Sequence, residues 1–313
     1  MIELPEGCIA TVISFASPRD ACRFSCVNSV FKSAAESDAV WDRFLPPDYR
    51  SLIFDSDFCS SASSPSLGCP SKKDLFLSLC HTPILIEEGK MVNSFLVFLG
   101  SGVVLGHLMS FQLDKSSGKK CYMISAANLT IVWGDTPTYW RWTSVPGSRF
   151  PKVAELIRVC WLEIRGKINT CILSPMTTYG AYLVFKSVNV AFGFVNQPVK
   201  VTFGLVGSDS HKRAVYLDLE RGQRPPHFRF SRHVRIYNRN RSLEWQGSSV
   251  PRENDGHYPE ERGDGWLEIE LGEIFIGIGE KNELEMSVME VTGGNWKEGL
   301  IVQGIEIRPK QSK

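Results

Sequence analysis

The sequence predicts a short all-α N-terminal unit followed by a mainly antiparallel β-sandwich. Three observations carry this. Residues 1–47 set apolar side chains at helical spacing between helix-start and helix-stop signals. From about residue 119, apolar and polar residues alternate in runs punctuated by glycine and proline. Of the 313 residues 43% are apolar and 22% charged, ordinary values for a globular chain with a sizeable core.

The elements follow in order. Pro5 suits a first helical turn, and Ile9, Val12 and Ile13 continue it. Ser17-Pro18-Arg19-Asp20 combines a serine cap, proline at the first helical position and an acid at the third. Ala21, Phe24 and Val27 extend that face. Phe31, Ala34 and Ala35 suggest another turn or two, and Ser37-Asp38 opens a short helix with Trp41, Phe44 and Leu45 before Pro46-Pro47. So small a unit buries little, so it should expose apolar side chains or lean on a partner. Residues 48–118 read as a Ser-rich linker with one helix over 71–81. Strands are expected at 161–167, 181–186, 199–203, 266–271, 284–288 and 301–307, and Pro151 to Val159 reads as the one helical stretch among them.

Composition excludes several classes. With 35 basic and 34 acidic residues the net charge is +1, so bulk charge holds the chain to neither nucleic acid nor anionic membrane. Nine irregularly spaced cysteines without a CxxC pair argue against a zinc site or a disulfide framework. The first residues, MIELPEGC, lack the basic end and apolar run of a secretory leader, so the cytoplasm or nucleus is expected. The sequons at Asn128 and Asn240 then carry no weight. Ser94 to Met109 is nearly uncharged, yet spanning a bilayer takes roughly 20 residues. Arginines at 221, 224, 229, 232, 235, 239 and 241 among aromatics and histidines read as a solvated loop rather than a nucleic-acid patch.

The stretch from Leu4-Pro5 through Ile9, Ile13, Ser17-Pro18, Ala21, Val27, Phe31 and Trp41 resembles an F-box. It departs at Asn28-Ser29-Val30, where the usual arginine is absent. Residues 119–313 resemble the phloem protein 2 (Nictaba-related) lectins of plants, which implies a lectin-like, jelly-roll type of sandwich. The matching blocks include Leu129-Thr-Ile-Val-Trp-Gly-Asp-Thr-Pro-Thr-Tyr-Trp140, Cys160-Trp-Leu-Glu-Ile-Arg-Gly-Lys167, Asp264-Gly-Trp-Leu-Glu-Ile-Glu-Leu-Gly-Glu273 and Trp296-Lys-Glu-Gly-Leu-Ile-Val-Gln-Gly-Ile-Glu-Ile-Arg-Pro309. Related chains run from a block like Ile84–Lys90 almost directly into one like Met109–Lys115. The apolar insert 91–108 is foreign to them and reads as a retained intron or gene-model artefact rather than an anchor.

The resemblance implies that the F-box contacts the adaptor Skp1, with Leu4, Pro5, Ile9, Ile13, Phe15, Ala21, Ser25 and Val27 as candidates. Some of these must instead form the unit's own small core. Sugar recognition calls for aromatic faces and for carboxylates that accept from hydroxyl groups. Trp133 and Trp140 bracket the turn-rich Gly134–Pro137 segment. Glu283 and Glu290 flank the strand 284–288 and fall on opposite faces of a regular strand; a bulge at Val288-Met289 would bring both to one rim. By resemblance, these two tryptophans and two glutamates are the glycan-binding positions. The alternative is tryptophans in the core and solvated glutamates. Trp142, Trp161, Trp266 and Trp296 are assigned to the core, as are Cys160 and Cys171.

The expected function is a substrate receptor of an SCF-type ubiquitin ligase. Skp1, and through it a cullin, would bind at one end. A glycan or glycoprotein client, bearing GlcNAc or an N-glycan core, would bind at the other. The chain itself would be non-catalytic, without cofactor or metal, and related lectins allow a homodimer. The alternatives are a stress or defence lectin outside ubiquitination, and a hydrolase using Glu283 and Glu290.

Overall fold

The computed structural model describes residues 4–54, 70–87, 108–195, 197–208, 210–218, 257–279 and 281–310. Among these residues six short helices come first: α1 (Glu6–Ile13), α2 (Pro18–Phe24), α3 (Ser29–Glu36), α4 (Asp38–Phe44), α5 (Tyr49–Phe54) and α6 (Lys72–His81). Of the serine helix starts expected from sequence, Ser17 and Ser71 make side-chain caps and Ser37 makes none. The Ser17 hydroxyl accepts from the Asp20 amide at 3.1 Å, and Ser71 accepts from Asp74 at 3.1 Å. Trp41 lies at the centre of the helical core, its ring centroid 5.5 Å from Phe44 and 5.2 Å from Phe76. Its indole N–H donates to the Ala35 carbonyl at 2.7 Å.

Among the described residues fourteen strands follow, in two antiparallel sheets. The first contains β1 (Ile84–Glu87), β2 (Leu108–Leu113), β3 (Lys120–Ser125), β14 (Glu298–Pro309), β8 (Thr177–Phe192), β12 (Leu267–Ile276) and β11 (Glu260–Glu261), in that spatial order. β6 (Val153–Leu156) pairs with β14, and β5 (Trp140–Thr143) pairs with β6. The second sheet runs β10 (His211–Val215), β9 (Val199–Leu205), β13 (Glu283–Glu290), β7 (Leu162–Asn169) and β4 (Thr130–Ile131). The six expected strands are present. The expected helix at 151–159 is instead β6. Val153 and Leu156 mimic a helical face at i, i+3, but Pro151 withholds an amide and neighbours on both sides complete the ladder.

The segment expected as a linker supplies α5, α6 and also two strands. β1 and β2 pair through Ile84↔Phe111 and Glu87↔Leu108, so the sheet begins well before residue 119. Most of the insert 91–108 lies outside the described residues, as does the arginine-rich stretch 221–241.

The sheets meet through close approaches. A Cβ on Gly272 of β12 would lie 2.7 Å from Phe203 Cβ on β9, so only glycine fits there. Helices and sheets share one hydrophobic cluster that runs from Ile13, Trp41 and Phe76 into Phe111, Tyr122 and Ile305. At the seam, Lys120 pairs with Asp48 at 2.6 Å. Gly118 turns at φ +70°, where a Cβ would sit 2.9 Å from the Phe44 carbonyl oxygen. Among the described residues no helix is long and apolar enough to cross a membrane.

Candidate functional site

The eight F-box candidates divide into two groups. Ile9, Ile13 and Ala21 are buried among the helices, Ser25 is half-buried, and Leu4, Pro5, Phe15 and Val27 are exposed. The geometry follows from α1 being only eight residues long: Ile9 and Ile13, one turn apart, face α3 and α4, so their neighbours face out. Val12, named from sequence for its helical spacing but not among these candidates, is 67% exposed and Phe15 69%. Val30 is exposed too, and the Arg43 guanidinium stands 4.0 Å over the Phe15 ring. Among the described residues, the outward side of these helices and their connections therefore carries apolar side chains left open to solvent.

The four carbohydrate candidates do not come together as a set. Trp133 is displayed: it is 40% exposed and its ring lies 5.1 Å from Tyr139. Its φ of 58° is a left-handed conformation, costly for a bulky side chain and held here by the tight loop after β4. Trp140 is only 2% exposed, on the inner face of β5. Glu283 is exposed and bonded to Lys167 at 2.8 Å. Glu290 is 2% exposed. Strand β13 keeps an unbroken register from Glu283↔Asn169 to Glu290↔Leu162, so the expected bulge at Val288-Met289 is absent. The two carboxylates stand at opposite ends of the strand, about 23 Å apart at ~3.3 Å per residue.

Buried Glu290 is fully engaged. It ion-pairs with Lys297, whose side chain is wholly buried. Its Oε1 accepts from the Gly293 amide at 2.9 Å and from Gln197 at 3.2 Å. Lys297 also donates to the Asn295 carbonyl at 2.8 Å and the Cys160 carbonyl at 3.3 Å. Its backbone pairs with Val159 in both directions. This charged knot ties the turn after β13 to the strand entrance that carries Trp161.

Three tryptophans assigned to the core are on the surface. Trp142, Trp161 and Trp296 are 37%, 41% and 42% exposed, whereas Trp266 is buried as expected. Each exposed ring is held by a polar contact. Trp161 donates to Glu163 Oε2 at 2.7 Å and Trp142 to the Gly134 carbonyl at 2.9 Å. Arg158 lies 4.9 Å over the Trp296 ring. Large apolar residues are not confined to cores, and indoles with one wet end favour surfaces that bind. Cys171 is likewise exposed and Cys160 half-buried, because Cys171 lies in the 3-10 turn after β7 and Cys160 precedes β7, neither within a strand. The surface around Trp133, Trp142 and Trp161 therefore offers indole faces beside the Glu163 carboxylate. Sequence could have flagged Trp161-Leu-Glu163 by parity: both stand one step from the buried Leu162.

Among the described residues no group of histidine, cysteine and acidic side chains could hold a metal ion.

The phloem protein 2 family pattern matches residues 119–309. Three Arabidopsis thaliana proteins align along almost the whole chain. F-box protein PP2-B1 is 42% identical over 99% of this chain and 90% of its own length. F-box protein PP2-B10 is 42% identical over 97% and 92%, and F-box protein PP2-B15 is 36% identical over 99% and 97%. A solved Podospora anserina GH26-CBM35 β-(1,4)-mannanase covers 62% of this chain and 28% of its own at 6% identity and a TM-score of 0.29, too distant to inform function. With the C-terminal pattern matched and the likeness running from the first helix to the last strand, the chain belongs to the phloem protein 2 family, among its F-box PP2-B proteins.

Proposed function

We propose that the protein is the substrate-receptor subunit of an SCF-type ubiquitin ligase, non-catalytic in itself. Residues 1–47 would act as the F-box that docks a Skp1-type adaptor, and through it a cullin. Residues 119–313, with their two sheets as the faces of a lectin-like jelly-roll sandwich, would hold a glycan or glycoprotein client. The observation that carries the reading is the set of exposed apolar side chains on and between these short helices, Leu4, Val12, Phe15 and Val27. Desolvated apolar anchors at the centre of an interface supply most of its binding energy. The relatives named F-box proteins support the same assignment. Ile9, Ile13 and Ala21 would hold that surface from behind.

On the client side, Trp133 would stack on a sugar ring, and Trp140 and Glu290 would hold its loop and the neighbouring turn. Glu283 stands at the far end of β13, away from the indoles. The seven described cysteines are all unbridged, which supports a reducing cytoplasmic or nuclear setting. The receptor works by proximity: holding client and ligase together removes most of the entropic cost of ubiquitin transfer.

The test pairs two binding assays on the full chain. A Skp1-type adaptor should be retained by the wild type and lost with Val12→Asp and Phe15→Asp together. A glycan array should show specific binding that Trp133→Ala removes while the adaptor stays bound. An unchanged adaptor interaction in the first variant would exclude the proposed docking surface.

A further inference from the structure

Beside the tryptophan-bearing edge, the outer face of the second sheet holds a pocket of about 390 Å³. Pro198, Lys200, Lys212, Ala214, Met289 and Val291 are among its lining residues. Strand register fixes what lies next to it. Ala214, Lys200, Met289 and Glu163 form one cross-strand row over β10, β9, β13 and β7. Lys212, Thr202, Ser287 and Arg165 form the next. These residues share the outer face, because the alternate positions Val199, Val201, Val288 and Ile164 are buried. With ~4.8 Å between strands, Lys200 stands about 10 Å from Glu163, and Trp161 is bonded to that carboxylate. Lys200 and Lys212 are diagonal neighbours on adjacent strands, close enough for both ammonium groups to reach one anion.

The charges of this face and of the pocket lining are nearly all answered. On the face, Arg165 pairs with Glu163 at 2.7 Å, and Lys167 with Glu283 at 2.8 Å. Arg213 and Glu290 also line the pocket but belong to the opposite strand parity: Arg213 lies 3.4 Å from the Glu270 carboxylate, and Glu290 is taken by Lys297. Lys200 and Lys212 are both exposed and take part in no ion pair among the described residues. Two uncompensated cations therefore flank an apolar floor that continues into an indole and a carboxylate.

We propose that this pocket is an acid-binding subsite for a carboxylated, uronic-acid type of oligosaccharide. One sugar ring lies over Trp161 with its hydroxyls toward Glu163. A neighbouring ring crosses Met289 and sets its carboxylate between Lys200 and Lys212. The inference rests on the carbohydrate-binding reading and deepens it: a neutral glycan would leave both lysines unanswered, whereas a ring carboxylate matches their charge and spacing.

The test uses the full chain in titration calorimetry with trigalacturonate and with its fully methyl-esterified form, which keeps the sugar and removes the charge. A neutral glycan array runs alongside. The wild type should prefer the free acid by about tenfold or more, and the preference should shrink as salt rises. Lys200→Gln with Lys212→Gln should abolish that preference, with unchanged thermal unfolding showing that the fold is intact. Trp161→Ala should weaken both ligands alike. Equal binding of acid and ester, or a preference that survives loss of both lysines, overturns the subsite and leaves the lectin reading standing. So does array binding of neutral glycans with no binding of trigalacturonate. Silence of array and both trisaccharides removes the carbohydrate reading, and the subsite with it.

Discussion

Glu290 and Lys297 form an ion pair sealed from solvent, and between them they fix the turn that joins β13 to β14. A buried pair of this kind adds modestly to stability while intact, but it is costly to break from one side. Its partners reach the Cys160 carbonyl and the Val159 backbone. Damage here therefore spreads to the entrance of β7 and to Trp161.

Glu290→Gln should leave Lys297 charged and buried, destabilising the protein by about 3–5 kcal/mol. Thermal unfolding checks this, and any loss of glycan binding should track loss of fold. A direct ligand role would show the reverse, with binding lost at an unchanged Tm.

Adaptor docking should depend on the outward residues of the helices rather than on the resembling positions as a group. Val12→Asp with Phe15→Asp should weaken adaptor binding by a hundredfold or so, about 2.7 kcal/mol for two hot-spot anchors, with little change in Tm. Ile13→Asp should instead buries a charge in the shared core and lower Tm throughout, the glycan-side sheet included. Pull-down and melting curves on the same preparations separate the two effects.

Acid should unfold the protein through Glu306. Burial by itself would raise this carboxyl, but Arg262, Arg149 and Arg308 outweigh burial and hold it at about 2. These arginines lie 2.7, 3.0 and 2.8 Å from its oxygens. A carboxylate depressed in the folded state contributes stability that is complete above its unfolded value of 4.5 and is lost as pH falls towards 2. Tm should therefore drop steeply between those limits. Glu306→Gln should melt lower at pH 7 and show a flatter pH dependence in that window.

Removing residues 91–108 should leave the fold intact. Ile86 pairs with Met109, so the deletion would leave the four residues 87–90 between them, a common hairpin length. Closing the shorter connection costs less loop entropy, so Tm should stay level or rise slightly. A collapse of the sheet on deletion would show the insert to be structural.

Five of the six described helices are legible because their signals are local, whereas α5, inside the segment expected as a linker, is not. A serine at the helix start, an acid in the first turn and an apolar turn are all within reach of a sequence window, whereas the Asn28 cap of α3 emerges only in the structure. Strands with clean alternation, such as β7, were equally clear. What failed depended on distant partners. β6 is a strand because β5 and β14 flank it, and β1 and β2 were hidden by the insert between them. The burial of Glu290 depends on Lys297 turning back to meet it, and nothing in strand parity reveals that. The surface tryptophans were misassigned because hydrophobicity predicts what fills a core better than what is left outside it.

The central claim is that one chain bridges a glycosylated client and a ligase adaptor. Beads coated with a glycoprotein that the chain binds, mixed with the full chain and a Skp1-type adaptor, measure that bridge directly. The adaptor should stay on the beads only when the chain is present. It should be lost with Val12→Asp and Phe15→Asp while the chain itself remains, and Trp133→Ala should release both. An adaptor still held with Trp133→Ala, or a chain that binds the beads yet never brings the adaptor, would contradict the account.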